Sequence, residues 1–84
     1  GDLLIDRVNF READFRETSF YHVIGRNLAF NNATMKRTRF SNTDFSHSNF
    51  QNVDFDGAGI WVANFSFADL RFAKLKNLIV DSMT

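Results

Sequence analysis

In the run Phe40-Ser41-Asn42-Thr43-Asp44-Phe45-Ser46-His47-Ser48-Asn49-Phe50-Gln51-Asn52-Val53-Asp54-Phe55 a phenylalanine returns at every fifth position. The spacing extends in both directions: Ile5, Phe10, Phe15, Phe20, Gly25, Phe30 and Met35 precede it, and Ile60, Phe65, Leu70, Leu75 and Val80 follow. Gly25 is the one interruption. A second register runs two residues earlier and is small or aliphatic: Leu3, Val8, Ala13, Thr18, Val23, Leu28, Ala33, Thr38, Thr43, Ser48, Val53, Ala58, Ala63, Ala68, Ala73 and Leu78. None of the 10 basic or 10 acidic residues falls in either register.

A period of five fits neither the 3.6-residue stripe of an α-helix nor the two-residue alternation of a simple strand. It fits a chain that turns a corner every five residues and sends one large and one small side chain inward per side. Four sides close a coil of about 20 residues, so the 84-residue chain makes about four coils. With the usual strand spacing of about 4.8 Å, the solenoid stands roughly 20 Å tall. Read at intervals of one coil, the inward columns are Ile5-Gly25-Phe45-Phe65, Phe10-Phe30-Phe50-Leu70, Phe15-Met35-Phe55-Leu75 and Phe20-Phe40-Ile60-Val80. Phe10, Phe15, Phe20, Phe30, Phe40, Phe45, Phe50, Phe55 and Phe65 are the expected structural core. Offset stacking of such rings adds roughly 0.5–1.5 kcal/mol per pair beyond their burial. The second register is small because little space remains between four inward rings; Leu3, Leu28 and Leu78 are expected where a neighbouring ring is smaller or the stack ends.

The runs Ala13-Asp14-Phe15-Arg16, Thr43-Asp44-Phe45-Ser46, Val53-Asp54-Phe55-Asp56, Ala63-Asn64-Phe65-Ser66 and Ala68-Asp69-Leu70-Arg71 resemble the A(D/N)LXX unit of pentapeptide-repeat proteins. The resemblance covers essentially the whole chain. It implies an all-β fold, a right-handed quadrilateral parallel β-helix, forming a single domain over residues 1–84. One stretch departs from the pattern. At Tyr21-His22-Val23-Ile24-Gly25, glycine replaces the central ring and Ile24 takes a normally outward place. A bulge or irregular corner is expected there, with Ile24 partly filling the gap beneath Phe45.

The absence of cysteine removes disulfides, thiolate metal sites and a cysteine nucleophile. The same absence of cysteine leans to the cytoplasm; no apolar run approaches the roughly 18 residues of a membrane-spanning helix, and no signal-peptide pattern opens the chain. A chain opening on Gly1 is compatible with a segment of a longer protein. The formal net charge of zero gives no field favouring nucleic acid or an anionic membrane. Lys36, Arg37 and Arg39 form the densest basic group, whereas Phe40 to Leu70 contains Asp44, Asp54, Asp56 and Asp69 and no base. Asp14, Asp44, Asp54 and Asp69 each precede a central residue, where a carboxylate can bond the corner backbone in an Asx turn.

No catalytic, cofactor or metal site emerges. His22 and His47 map to different corners and coils, which argues against a metal pair. Asp44, Ser46, His47 and Ser48 contain the residue types of a nucleophile relay, but Ser48 is expected to point inward and Ser46 and His47 outward. Gly57 and Gly59 read as easing a corner rather than cradling a phosphate. The informative residues are apolar and outside the inward registers: Trp61, Val62, Phe67, Phe72 and Ile79 gather in the last coil, and Tyr21 shares the column of Trp61. So many apolar side chains on one coil call for a cover, and a C-terminal cap, another domain and a homodimer are the alternatives, the twofold end-to-end dimer ahead.

These features point to a non-catalytic scaffold, without cofactor, that binds a protein, itself or another, through its C-terminal coil. The family resemblance implies two alternatives. Some members are acidic dimeric rods shaped like duplex DNA that bind DNA gyrase and protect it from quinolones; this chain departs from them in length and in its neutral charge. Others are β-helix segments that position a functional domain of a larger bacterial effector.

Overall fold

The computed structural model describes residues 2–83, the last two by backbone alone. The chain winds as a β-solenoid. Strands β1 (Leu3–Asp6), β2 (Ser19–Tyr21), β3 (Val23–Arg26), β4 (Arg39–Asp44), β5 (Gly59–Asn64) and β6 (Ile79–Met83) form one parallel sheet in the order β1-β3-β4-β5-β6, with β2 also against β4. The register is the 20-residue step read from the sequence: Ile5 lies beside Gly25, Phe20 beside Phe40, and Phe40 beside Ile60. On the other sides the step continues through single bridges such as Asn9↔Ala29↔Asn49↔Asp69 and Asp14↔Thr34↔Asp54↔Lys74. The ladder between coils is short and regular, with Phe10 N–H donating to Ala29 C=O at 2.7 Å, Phe30 to Asn49 at 2.8 Å and Phe50 to Asp69 at 2.8 Å.

The corners explain the period. Every fifth residue from Arg7 to Asn77 has a positive φ, between 52° and 74°. At many of them the N–H of the next residue donates back to the central residue, as from Ala33 to Phe30 at 2.9 Å and from Val53 to Phe50 at 3.1 Å. A bonded four-residue turn with positive φ only at its third position is a type II turn, which favours glycine or asparagine there. Asn27, Asn32, Asn42, Asn52, Gly57 and Asn77 meet that demand. The residue before each central ring often closes the bend from outside. Asp14, Asp44, Asp54, Asn64 and Asp69 each accept the N–H two residues on, at 2.8–3.1 Å. These are the Asx turns expected from the sequence.

Inside, Phe30, Phe40, Phe45, Phe50 and Phe55 are buried, and Phe65 nearly so. The column Phe10-Phe30-Phe50 stacks nearly flat, with ring centroids 5.4 and 5.0 Å apart, and Phe20 stacks on Phe40 at 5.6 Å. Between columns the rings meet edge to face, as Phe30 on Phe45 at 5.7 Å. Two buried hydroxyls bond the backbone: Thr38 donates to Phe15 C=O at 2.6 Å, and Ser48 Oγ accepts the Leu28 N–H at 3.1 Å; the buried Thr43 hydroxyl has no partner among the described residues. Phe10, Phe15 and Phe20 are only half-buried, since among the described residues a coil lies on one side of them alone.

The stretch 21–25 differs from its expected form. The chain bends at His22 between β2 and β3, but no residue is inserted: Tyr21 pairs with Ser41 and Ile24 with Asp44, the same step as elsewhere. Ile24 does not fill the space at Gly25. A Cβ there would lie 2.6 Å from Leu28 Cδ1 and 2.9 Å from the Phe45 ring, so those two side chains occupy it. Leu28 is thus the large member of the small register because Gly25 is the small member of the large one. The register does slip at the other end, where Ile60 pairs with Val80 but Trp61 with Ser82.

Candidate functional site

The last coil is where the outer surface changes character. Of the six residues singled out from the sequence, Tyr21, Val62, Phe67, Phe72 and Ile79 are exposed; Phe67 at 84% and Phe72 at 80% project almost fully. Trp61 is half-buried. Its ring folds back along β5 over Gly59, where a Cβ would overlap it, and shares a shallow depression with Arg37, Arg39, Gly57 and Ile79. Gly59 therefore serves to seat the indole. Tyr21 lies apart from the others, next to Asp2, Leu3 and His22 near the opposite end, with its ring edge-on to His22 at 4.2 Å. The structure does not bring it to the last coil.

Val62, Phe67 and Phe72 share a property that the sequence did not disclose. All three occupy the positive-φ corner position, at 61°, 61° and 62°. One coil earlier the same corners hold Asn42, His47 and Asn52. A left-handed conformation costs an ordinary L-residue roughly 1–2 kcal/mol, and a β-branched one is a clear outlier there. Phe67 recovers part of this by stacking on His47, with centroids 4.9 Å apart and planes 12° from parallel. No aromatic neighbour of this kind accompanies Phe72 among the described residues.

A second apolar surface is the open end itself. Leu70 and Leu78 are half-buried, and Leu75 and Val80 are exposed, although all four belong to the inward registers. With Phe55, Ile60 and Phe65 the three leucines line a wholly apolar hollow of about 40 Å³. Leucine in place of phenylalanine leaves that space. Sequence reasoning placed Leu78 where a neighbouring ring is smaller or the stack ends but counted Leu70, Leu75 and Val80 simply as inward residues.

The polar candidates resolve into structural roles. Asp14 is gripped by Arg16, whose guanidinium reaches both carboxylate oxygens at 2.7–3.1 Å and holds the carboxyl down at about 2. Arg71 does the same to Asp69, again lowering it. Burial pushes the Asp44 carboxyl up, but the hydrogen bonds from Ser46 and Arg26 outweigh it and leave it below the ordinary range. Ser46, expected to point outward, lies against the Asp44 carboxylate, to which its N–H donates at 3.0 Å, and is buried. Ser48 is buried as expected, and His47 is exposed, so these residues do not form a relay. His22 contacts Asp2 at 3.1 Å and lies on a different coil from His47. Among the described residues no group of His, Asp and Glu is arranged to hold a metal ion, and no helix is long and apolar enough to cross a membrane.

Residues 4–84 match a family model described as "Pentapeptide repeat region". Among solved structures, the chain is similar to QnrB1, a plasmid-mediated fluoroquinolone resistance protein, with a TM-score of 0.81 at 14% identity, over 98% of this chain and 53% of that one. It is also similar to HetL, a protein involved in heterocyst differentiation regulation from the cyanobacterium Nostoc sp. strain PCC 7120, with a TM-score of 0.64 at 22% identity, over 95% of this chain and 39% of that one. At these identities the likeness is one of fold. The chain spans about half of the first and two-fifths of the second. No curated protein sequence matches it.

Proposed function

Since the chain belongs to the pentapeptide-repeat family, whose repeat here supplies a rigid rod, we propose that it is a non-catalytic scaffold that binds another protein through the corners of its last coil. The observation that carries this reading is the placing of Val62, Phe67 and Phe72. Their backbone conformation disfavours them and water disfavours their side chains, whereas asparagine would satisfy both. Large apolar residues that stand exposed in a disfavoured backbone conformation are a mark of a contact surface. Trp61 and Ile79 extend that surface along β5 and β6. Tyr21 belongs to a separate patch.

The DNA-mimic reading finds no support in charge. Affinity for a DNA-binding groove is electrostatic, and the net charge of zero supplies no such field. The shared shape with QnrB1 bears on fold alone.

The test is a trade between stability and contact. The triple variant Val62→Asn, Phe67→Asn, Phe72→Asn is expected to melt higher than the wild type while losing its partner. A photo-crosslinking residue placed at Phe72 in native cells should give a discrete protein adduct that the same residue at Asn32, the equivalent corner two coils earlier, does not. A lower melting temperature for the triple variant, or identical adducts at both corners, would show that the aromatics serve the fold and sink the reading.

A further inference from the structure

We infer that the depression beside Trp61 receives an acidic segment of the partner protein, a carboxylate of that segment bonding Arg39 and an apolar side chain next to it lying on the indole. The inference rests on the reading of the last coil as a protein-binding surface and adds the chemistry of the partner. The depression lies on a side face of the rod, across β4, β5 and β6.

Arg39 is a charge without a counterpart. Of the seven arginines, Arg7, Arg16, Arg26, Arg37 and Arg71 each hold a carboxylate at 2.7–3.2 Å. Arg39 is exposed and makes neither an ion pair nor a side-chain hydrogen bond among the described residues. The acids that border the site are already engaged: Glu17 by Arg37 at 3.1 Å, and Asp56, beside the Gly57 corner, by Asn77 at 2.9 Å. Lys76, whose carbonyl accepts the Gly57 N–H at 3.1 Å, is exposed and likewise makes no ion pair among the described residues. Uncommitted cations therefore outnumber uncommitted acids here, and the complementary surface is a negative one.

Gly59 and Trp61 supply the apolar half of the site. Arg39, Gly59 and Ile79 are neighbours on successive rungs. A Cβ at position 59 would lie 2.4–2.5 Å from the indole, so the ring occupies the place a side chain would take between Arg39 and Ile79. Glycine inside a strand gives up side-chain packing. In return the indole lies down between a guanidinium and an exposed isoleucine, one face on the Gly59 backbone and the other outward, and is half-buried. Rungs about 4.8 Å apart put the guanidinium and the ring within reach of neighbouring side chains of one segment.

Shape and charge select among anions. The depression is shallow, about 190 Å³, whereas small-molecule sites are clefts that enclose most of the ligand. A nucleic acid binds by neutralising many phosphates, and this depression offers one uncommitted guanidinium in a chain of zero net charge. A peptide carboxylate beside an apolar side chain uses both halves. Arginine grips a carboxylate through two parallel N–H bonds, and tryptophan and arginine are among the residue types that dominate the energy of protein interfaces.

Trp61 is the only tryptophan, so its fluorescence reports on the depression directly. The probe is the peptide acetyl-Ala-Ala-Glu-Leu-Ala-Ala-amide, compared with the same peptide carrying Gln in place of Glu. The acidic peptide is expected to change the Trp61 emission saturably and to bind at least about tenfold more tightly than the Gln peptide, the difference a charged hydrogen-bond partner makes. That preference should vanish in Arg39→Gln, return in part in Arg39→Lys, and persist in Arg11→Gln, which removes an exposed arginine of another face. Gly59→Ala, which forces the indole off its seat, should weaken both peptides. No saturable change with the acidic peptide, equal binding of the two peptides, or a preference that survives in Arg39→Gln would each overturn the inference. Crosslinking at Phe72 is read separately. Acid-selective binding at Trp61 without a discrete adduct at Phe72 would sink the reading of the corners and keep the acid site, whereas an adduct without acid selectivity would do the reverse.

Discussion

The middle coils and the last coil are built from the same repeat and treat it differently. Between Asn27 and Gly57 most corners carry asparagine or glycine, and the rings at 30, 40, 45, 50 and 55 are sealed by coils on both sides. From Val62 onward three successive corners carry Val, Phe and Phe, while the inward positions shrink to leucine and valine and reach solvent. In a solenoid each coil is stabilised by its neighbours, and the last described coil, with a neighbour on one side only among the described residues, keeps its inward leucines and valine partly in solvent. Apolar residues at its corners and on its end face are consistent with a region specialised for contact.

The sharpest way to break this comparison is Phe50→Asp. It places an unpaired charge between Phe30 and Leu70, and we expect no folded protein by circular dichroism; a soluble, native-like variant would refute the inward assignment. Next in size is a matched pair of truncations. Phe50→Ala should cost about 3–5 kcal/mol in denaturant unfolding, as buried phenylalanines do, whereas Leu75→Ala should cost well under half of that because its side chain is half in water. Equal losses would mean that the last coil is covered in solution.

A reciprocal exchange of corners tests the backbone argument. Asn52→Val should lower stability by about 1–2 kcal/mol and Val62→Asn should raise it by a similar amount, the cost of a left-handed conformation; calorimetry of both reads the sign directly. Asp54→Ala removes an Asx bond to Asp56 N–H of 3.0 Å and is expected to cost about 1 kcal/mol. The smallest effect is with pH. Asp14, Asp44 and Asp69 have carboxyls below the ordinary range, so they bind protons more readily when unfolded. Their contribution is complete above the unfolded value of about 3.9 and is lost as pH falls through the folded values, toward about 2 for Asp14. Denaturant midpoints should therefore hold steady from neutral pH to about 5 and decline below about 4, and the decline should shrink in Arg16→Gln.

Much of this molecule was legible from residue spacing. The five-residue period gave the corners, the 20-residue step gave the register, and the aspartates before the central rings gave the Asx turns. Each is a local rule repeated. At 21–25 the expectation that Leu28 sits beside a smaller neighbour holds, Gly25 being that neighbour, whereas the space was wrongly given to Ile24: Leu28 and the Phe45 ring occupy it.

The sequence alone determined that the chain coils with this period, which side chains face inward, and that the last coil carries too many apolar residues outside. Only the tertiary structure decided that Val62, Phe67 and Phe72 stand in left-handed corners, that Trp61 lies flat over Gly59, that Tyr21 is remote from them, and that Leu70, Leu75 and Val80 form an open end. A repeat fixes direction, inward or outward, through the strand's geometry; exposure depends on whether another coil lies above, and backbone strain on the turn each corner adopts.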